Sequence, residues 1–316
     1  MKIVYLDAKT LGDDLDLSAV SELGEAVIYE NTPQNEVKNV IVDADVIIVN
    51  KLKLNESNLP CATKLKLICI TATGYDNVDI NYCREHNIAV CNVVGYSSHS
   101  VAQLTVAMAL NLSMKLRDFT DFVDDGSYTK SGVANKLTPT YHEMNGKVWG
   151  IVGLGAIGRQ VANVASAFGC KVIAYKRTPD SSIPCCNLSY LFKKSDIISV
   201  HLPLSDETKN IIDKELISQM KEDAILINVA RGAVTDESAL AEAVLENRIG
   251  GIGVDVYSQE PFSEEHPYYK LIGNKKALFT PHMAWGAYEA RTRCLDEVLE
   301  NIKAFFSGEI RNRLDI

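Results

Sequence analysis

This 316-residue sequence has no apolar run long enough to cross a bilayer. Its most apolar stretch, "VAQLTVAMALNLSM" (101–114), is too short and too polar for that. Excess positive charge is also missing: 32 Lys and Arg stand against 41 Asp and Glu, a net charge of −9. Such a balance argues against nucleic acid or an anionic membrane as the main partner, while leaving room for a local basic pocket. The eight cysteines include no C-x-x-C pair, and most sit in apolar runs, such as Cys69 in "LKLICI". They read as reduced core residues of a cytoplasmic protein rather than as disulfides or metal ligands. No His/Cys/Asp cluster has metal-ligand spacing, so no metal is expected. A secretory leader is not evident either, because "MKIVYLDAKT" opens as a strand and meets an acid at Asp7.

What is present is alternation. The length exceeds what one compact core usually holds, which predicts two domains. In the first hundred residues, "KIVYL", "EAVIY", "ADVIIV", "LKLICI" and "IAVCNV" are short apolar runs bounded by polar turns. They predict buried parallel strands joined by crossover helices. An apolar helix is expected from about Ser100 to Phe119, then a polar surface connector over 123–147. The alternation then resumes with "VWGIVG", "KVIAYK", "IISVHL", "AILINVA", "GIGVDV" and "ALFTP", a second doubly wound sheet. The last segment predicts an amphipathic helix with Leu295, Val298, Leu299, Ile302 and Phe305 on one face and Gly308 as its stop. A single helix trailing a complete sheet is a candidate to pack back on the first domain.

The second sheet opens on "VWGIVGLGAIGRQVANVASAFG", a strand, a glycine loop and a helix. In that context the glycines have distinct uses: Gly153 for the tight turn, Gly155 for approach of a pyrophosphate, and Gly158 for close packing of helix on strand. The helix start at Ala156, Ile157 and Gly158 brings unpaired N–H groups and a partial positive charge to the phosphates. Dinucleotide binding is the expectation. The ribose-reading position falls about 20 residues past the loop, and here it reads Lys176-Arg177-Thr178. An acid there would repel a 2′-phosphate. A guanidinium fork, an ammonium and a hydroxyl would hold one, which favours NADP(H) over NAD(H).

Three polar residues follow later strands: Arg231 in "LINVARGAVTDESAL", Glu260 in "GVDVYSQEPF" and His282 in "LFTPHMAW". Ligands of open α/β sheets lie beyond the carboxyl ends of the strands, so the three are candidates to converge. Reduction of a 2-keto acid needs such a set: a cation matched to a carboxylate, a proton donor that titrates near neutrality, and a carboxylate that orients the donor. Taken singly, each has an ordinary reading as a surface charge or a satisfied structural residue. His201 in "ISVHLPL" is the rival proton donor, with a cofactor-side or packing role preferred because no carboxylate lies near it except in a loop. His86, His99, His142 and His266 receive no role.

Together these segments resemble the D-isomer-specific 2-hydroxyacid dehydrogenases, through "ATGYDNVD" (72–79), "NVVGYSSHSVAQ" (92–103), "GIVGLGAIGR" (150–159), "VHLPLSDET" (200–208), "LINVARGAVTDESAL" (226–240), "GVDVYSQEP" (253–261) and "FTPHMAW" (279–285). The glycerate dehydrogenase or hydroxypyruvate reductase branch is the most similar. The resemblance implies an α/β protein of two doubly wound parallel-sheet domains. A Rossmann cofactor domain (100–285) is inserted in a flavodoxin-like substrate domain (1–99 and 286–316), with a hinge and a homodimer. It implies that Arg231 binds the substrate carboxylate and that Glu260 pairs with His282 as general acid/base. It implies that Thr73 and Gly74 amides hold the carboxylate, and that Tyr96 and Trp285 border the substrate side chain. His201, Leu202, Pro203, Thr208, Ala230 and Asp255 would line the cofactor site, Asp255 facing the nicotinamide. Relatives that use NAD(H) carry an acid near Lys176, so family membership leaves the cofactor open. Two alternatives accompany this reading. One is a dinucleotide-sensing corepressor of the same fold, disfavoured because the chain shows no added partner-binding extension. The other is a phosphoglycerate-type dehydrogenase, which would need an extra basic group such as Lys51 or Lys53.

Overall fold

The computed structural model describes residues 1–178 and 182–316. The chain divides into two compact units, Met1–Ser97 with Gly286–Ile316, and Ser98–Trp285.

The first unit is built on five strands, β1 (Lys2–Tyr5), β2 (Glu25–Ile28), β3 (Val46–Val49), β4 (Leu67–Ile70) and β5 (Ala89–Cys91). All pairs are parallel, in the order β2-β1-β3-β4-β5. This is the flavodoxin-like order. β3 and β4 are buried along their whole length, which is why "VIIV" and "LICI" show no alternation. The helix Tyr288–Ser307 belongs to this unit: Leu295, Val298, Leu299 and Ile302 are buried, and Gly308 at φ +84° ends it. Phe305, expected on the same face, is only half-buried. Asn301 on this helix donates to the Asn92 carbonyl at 3.0 Å, and the tail returns to β5 through Leu314 N–H to Val90 O at 2.9 Å.

The second unit carries six parallel strands, β6 (Val148–Val152), β7 (Lys171–Tyr175), β8 (Ile197–Val200), β9 (Ile225–Asn228), β10 (Gly251–Val254) and β11 (Ala277–Phe279). Their order is β11-β10-β9-β8-β6-β7. A single parallel bridge, Ala174 to Cys185, lies beside β7 where a dinucleotide-binding sheet has its third strand. β6 is therefore flanked by β7 on one side and β8 on the other, and the glycine loop leaves the sheet where the direction of winding reverses.

Two local expectations are corrected. The helix predicted to run to Phe119 stops at Ser113, because Lys115 adopts a left-handed conformation (φ +52°), and a second helix begins as Leu116–Asp124. Such a residue cannot continue a right-handed helix. Among the cysteines, all eight are free, but Cys61 is exposed rather than in the core. No helix among the described residues is long and apolar enough to cross a membrane.

Candidate active site

The glycine loop follows β6. Gly153 has φ +102°, and a Cβ there would lie 2.8 Å from the His201 carbonyl carbon and 3.0 Å from Leu202 N. The turn therefore needs glycine both for its backbone angle and for contact with the chain leaving β8. A Cβ on Gly158 would meet the Gly153 oxygen at 2.2 Å, so the helix Ala156–Ala167 packs directly on the turn. Gly155 differs: a Cβ there would meet nothing within 4 Å. It caps the helix without any side-chain hydrogen bond, which leaves the N–H groups of the first turn without a side-chain cap. An anion of pyrophosphate size suits that surface.

Lys176, Arg177 and Thr178 follow β7 directly; Lys176 is half-buried, the other two exposed. Arg177 Nη1 lies 3.2 Å from Glu207 Oε2, with both side chains largely in water. Such a pair contributes little and is readily exchanged for a better anion. His201 follows β8. Its Nε2 lies 3.0 Å from Ser199 Oγ, which also accepts from Trp149 Nε1 at 2.9 Å. The residue is part-exposed, but Nδ1 is sealed from solvent and has no partner. Burial pushes the imidazole down to about 3, so it stays neutral at any working pH. Leu202 is half-buried and Pro203 exposed; Thr208 Oγ closes their loop by donating to the Pro203 carbonyl at 2.6 Å.

Arg231, Glu260 and His282 follow β9, β10 and β11, three neighbouring parallel strands, so all three leave the same edge of the sheet. His282 Nδ1 lies 2.7 Å from Glu260 Oε2. A carboxylate only accepts, so Nδ1 carries the hydrogen and Nε2 is left for proton exchange. His282 has φ +51°, a strained angle for a residue with a side chain. Asp255, fully buried, holds that geometry: Oδ1 accepts from Thr280 Oγ (2.5 Å) and Met283 N–H (2.8 Å), and Oδ2 from Ala284 N–H (2.9 Å). Burial raises the Asp255 pKa, and these donors offset part of the rise. Arg231 is half-buried; its Nη1 donates to the Ala230 carbonyl at 2.8 Å, and no carboxylate pairs with it among the described residues. Ala230 is itself buried, its N–H on Asn228 Oδ1 at 3.0 Å.

Residues 106–284 match the family model of the D-isomer specific 2-hydroxyacid dehydrogenase, NAD binding domain. The chain belongs to the D-isomer specific 2-hydroxyacid dehydrogenase family. It is an NAD(P)-dependent D-2-hydroxyacid dehydrogenase, an oxidoreductase. A hydroxypyruvate reductase of Blautia hydrogenotrophica is 32% identical, with 98% of each chain covered. A glyoxylate reductase of Thermococcus litoralis is 38% identical over 85% of this chain and 82% of its own. Among solved structures, an acyclic imino acid reductase in complex with NADPH and D-Arg superposes with a TM-score of 0.88 at 30% identity, covering 99% of this chain and 100% of that one.

The remaining expected residues of this dehydrogenase are placed as follows. Thr73 and Gly74 follow β4; the Thr73 hydroxyl donates to the Val93 carbonyl at 2.7 Å, and its carbonyl accepts from Asn92 Nδ2 at 2.8 Å. Tyr96 is buried, and its carbonyl accepts from Arg293 Nε at 3.1 Å. Trp285 is half-buried against the core on the Ser98–Ser113 side of the second sheet. Lys51 and Lys53 are exposed. No group of three or more His, Cys, Asp or Glu among the described residues could hold a metal ion. Sequence reasoning gave no role to His266, which caps the short helix Pro267–Leu271 and is buried 3.0 Å from a buried Glu237. It also missed Asp255 as the staple of the His282 loop. No local signal marks either, because both partners lie more than twenty residues away in the chain.

Proposed function

We propose that the enzyme reduces a small 2-keto acid of the hydroxypyruvate or glyoxylate type to the D-2-hydroxy acid, with NADPH preferred over NADH. The observation that carries the chemistry is the 2.7 Å pair of His282 and Glu260, with Arg231 following the neighbouring strand β9 and paired with no carboxylate among the described residues. Arg231 takes the substrate carboxylate with a forked pair of N–H groups. A reduced nicotinamide held by the second unit supplies the hydride. His282 Nε2 gives its proton to the carbonyl oxygen as the hydride adds to the keto carbon, so no free alkoxide has to form. Glu260 holds the ring by Nδ1 and keeps Nε2 free to exchange a proton. Asp255 acts behind them by fixing residues 280–284.

The cofactor preference rests on Lys176, Arg177 and Thr178 at the ribose-reading position, and the keto-acid class on the relatives named above. Both are tested in one assay: oxidation of NADPH and NADH in parallel with hydroxypyruvate, glyoxylate, pyruvate and 2-oxoisocaproate. Arg177→Ala is expected to lower kcat/KM for NADPH about 10-fold, the worth of one charge-assisted hydrogen bond, and to leave NADH unchanged. No loss with either cofactor would make the basic pair a surface feature, and equal losses with both would show that Arg177 does not read the 2′-phosphate.

A homodimer is part of the same reading. The helix Leu116–Asp124 is amphipathic yet buries no residue, and Val123, Val133, Leu137 and Tyr141 of this region are exposed. Apolar surface of this kind suits a second copy. Light scattering after size exclusion should report twice the mass of one 34.8 kDa chain. A mass of one chain at micromolar concentration would refute it.

A further inference from the structure

Two segments of the second unit carry the proposed chemistry, and a buried cluster ties them together. The first runs from Arg231 to Asp236, whose side chain caps the helix Glu237–Leu245 by accepting from Ala239 N–H at 2.9 Å. That cap places Glu237 at the first position of the helix, where its side chain is buried. The second segment is the loop after β10, which carries Tyr257, Ser258 and Glu260. Glu237 Oε1 accepts from the Ser258 N–H at 3.0 Å, and Oε2 accepts from the Ser258 hydroxyl. Oε2 also meets His266 Nε2 at 3.0 Å. His266 Nδ1 accepts from Tyr268 N–H at 3.2 Å, so the ring hydrogen is on Nε2 and points at Glu237. The carboxylate thus accepts three hydrogen bonds, two of them from one residue of the catalytic loop.

The neighbouring amide is held in the same manner. Tyr257 N–H donates to Glu260 Oε1 at 3.0 Å, while Glu260 Oε2 holds His282. Two successive amides of the loop are therefore fixed by two carboxylates, Tyr257 by Glu260 and Ser258 by Glu237. Gly232, the residue after Arg231, lies flat on the peptide between them. A Cβ there would stand 2.1 Å from Tyr257 C and 2.2 Å from Ser258 N. Aromatic rings close over the cluster: His266 lies 5.1 Å from Phe262 and 5.2 Å from Tyr268, ring centre to ring centre. Glu237 and His266 are buried and hydrogen-bonded to each other, and such a pair specifies one geometry rather than merely adding stability.

We propose that Glu237, with Ser258 and His266, is a positioning clamp that sets the Glu260 carboxylate against His282 and couples the Arg231 segment to that pair. The clamp acts through Glu260, so it rests on the role given to Glu260 and His282 above. Loosening it turns the Ser258 peptide, and with it the Tyr257 amide that orients Glu260.

The test is a double-mutant cycle on the purified full-length enzyme. Ser258→Ala, Glu237→Gln, Glu260→Gln and the double variant Ser258→Ala/Glu260→Gln are assayed with NADPH and the best of the four keto acids, over a range of pH. Ser258→Ala removes one hydroxyl from an exposed residue and leaves the fold intact even where Glu237→Gln does not. Ser258→Ala is expected to lower kcat about 10-fold, the effect of a sub-ångström misplacement of a reacting group. It should also move the pH profile of reduction to lower pH, in the direction of Glu260→Gln, with Asp255, the other acid beside His282, untouched. In the double variant the loss should equal that of Glu260→Gln alone. Additive losses, or an unchanged kcat and pH profile in Ser258→Ala, would overturn the clamp. An unchanged kcat in Glu260→Gln would instead overturn the reading of Glu260 itself, whatever Ser258→Ala does.

Discussion

His282→Asn is expected to lower kcat for keto-acid reduction by ~10²–10⁴-fold, the usual worth of a positioned general acid. Asn is the informative replacement because the backbone at 282 is left-handed (φ +51°), a region Asn tolerates better than most residues. The substitution therefore removes the proton donor without forcing the 280–284 loop to move. Cofactor binding should be unchanged, because the glycine loop leaves the sheet after β6 while His282 follows β11. Titration of nicotinamide fluorescence in the variant checks this separately from turnover. The residual rate should lose the pH dependence that His282 gives it, since His201, the rival proton donor, is held neutral by burial. A variant with kcat within a few-fold of the parent would show that the proton comes from elsewhere.

Arg231→Lys should raise KM for the keto acid ~10–100-fold, with a smaller change in kcat. Arg231 already donates one Nη1 hydrogen to the Ala230 carbonyl at 2.8 Å. That bond fixes the plane of the guanidinium and leaves the rest of the fork for a carboxylate. Lysine keeps the charge but presents a single rotatable point of attachment, so the second hydrogen bond and the orientation are both lost. The loss should fall on the substrate and not on the cofactor. It should also be larger for the smallest acids, which have no side chain to hold them by other contacts. If KM for NADPH rises instead, Arg231 belongs to the cofactor site.

Most of the strand pattern was legible because parallel strands buried on both faces must be apolar throughout. "VIIV", "LICI", "IISV" and "ILIN" admit few other readings. The glycine loop was legible for a similar reason. Its three glycines answer three separate steric demands, and the structure shows the backbone contacts that two of them avoid. The helix break at Lys115 was not legible: lysine is a good helix former, and nothing local asks for a left-handed angle there. The contact of His266 with Glu237, 29 positions earlier, was not legible for a related reason: nothing local in either segment names the other. Nor was it legible that the Asp255 oxygens accept from three donors of the 280–284 loop, all 25 or more positions away.

The chain's sequence alone determined the α/β class and the dinucleotide loop, and it singled out Arg231, Glu260 and His282 as candidates, because each depends on residue type at a position relative to a strand end. Tertiary structure decided what those residues do to one another. The strand order β11-β10-β9 brings three segments from 231 to 282 to one edge. It also decides which oxygen of Glu260 faces His282, and that Glu237 and Asp255 stand behind the pair. Hydrogen-bond partners twenty or more residues apart are set by strand order and packing, and no local pattern of residues encodes them.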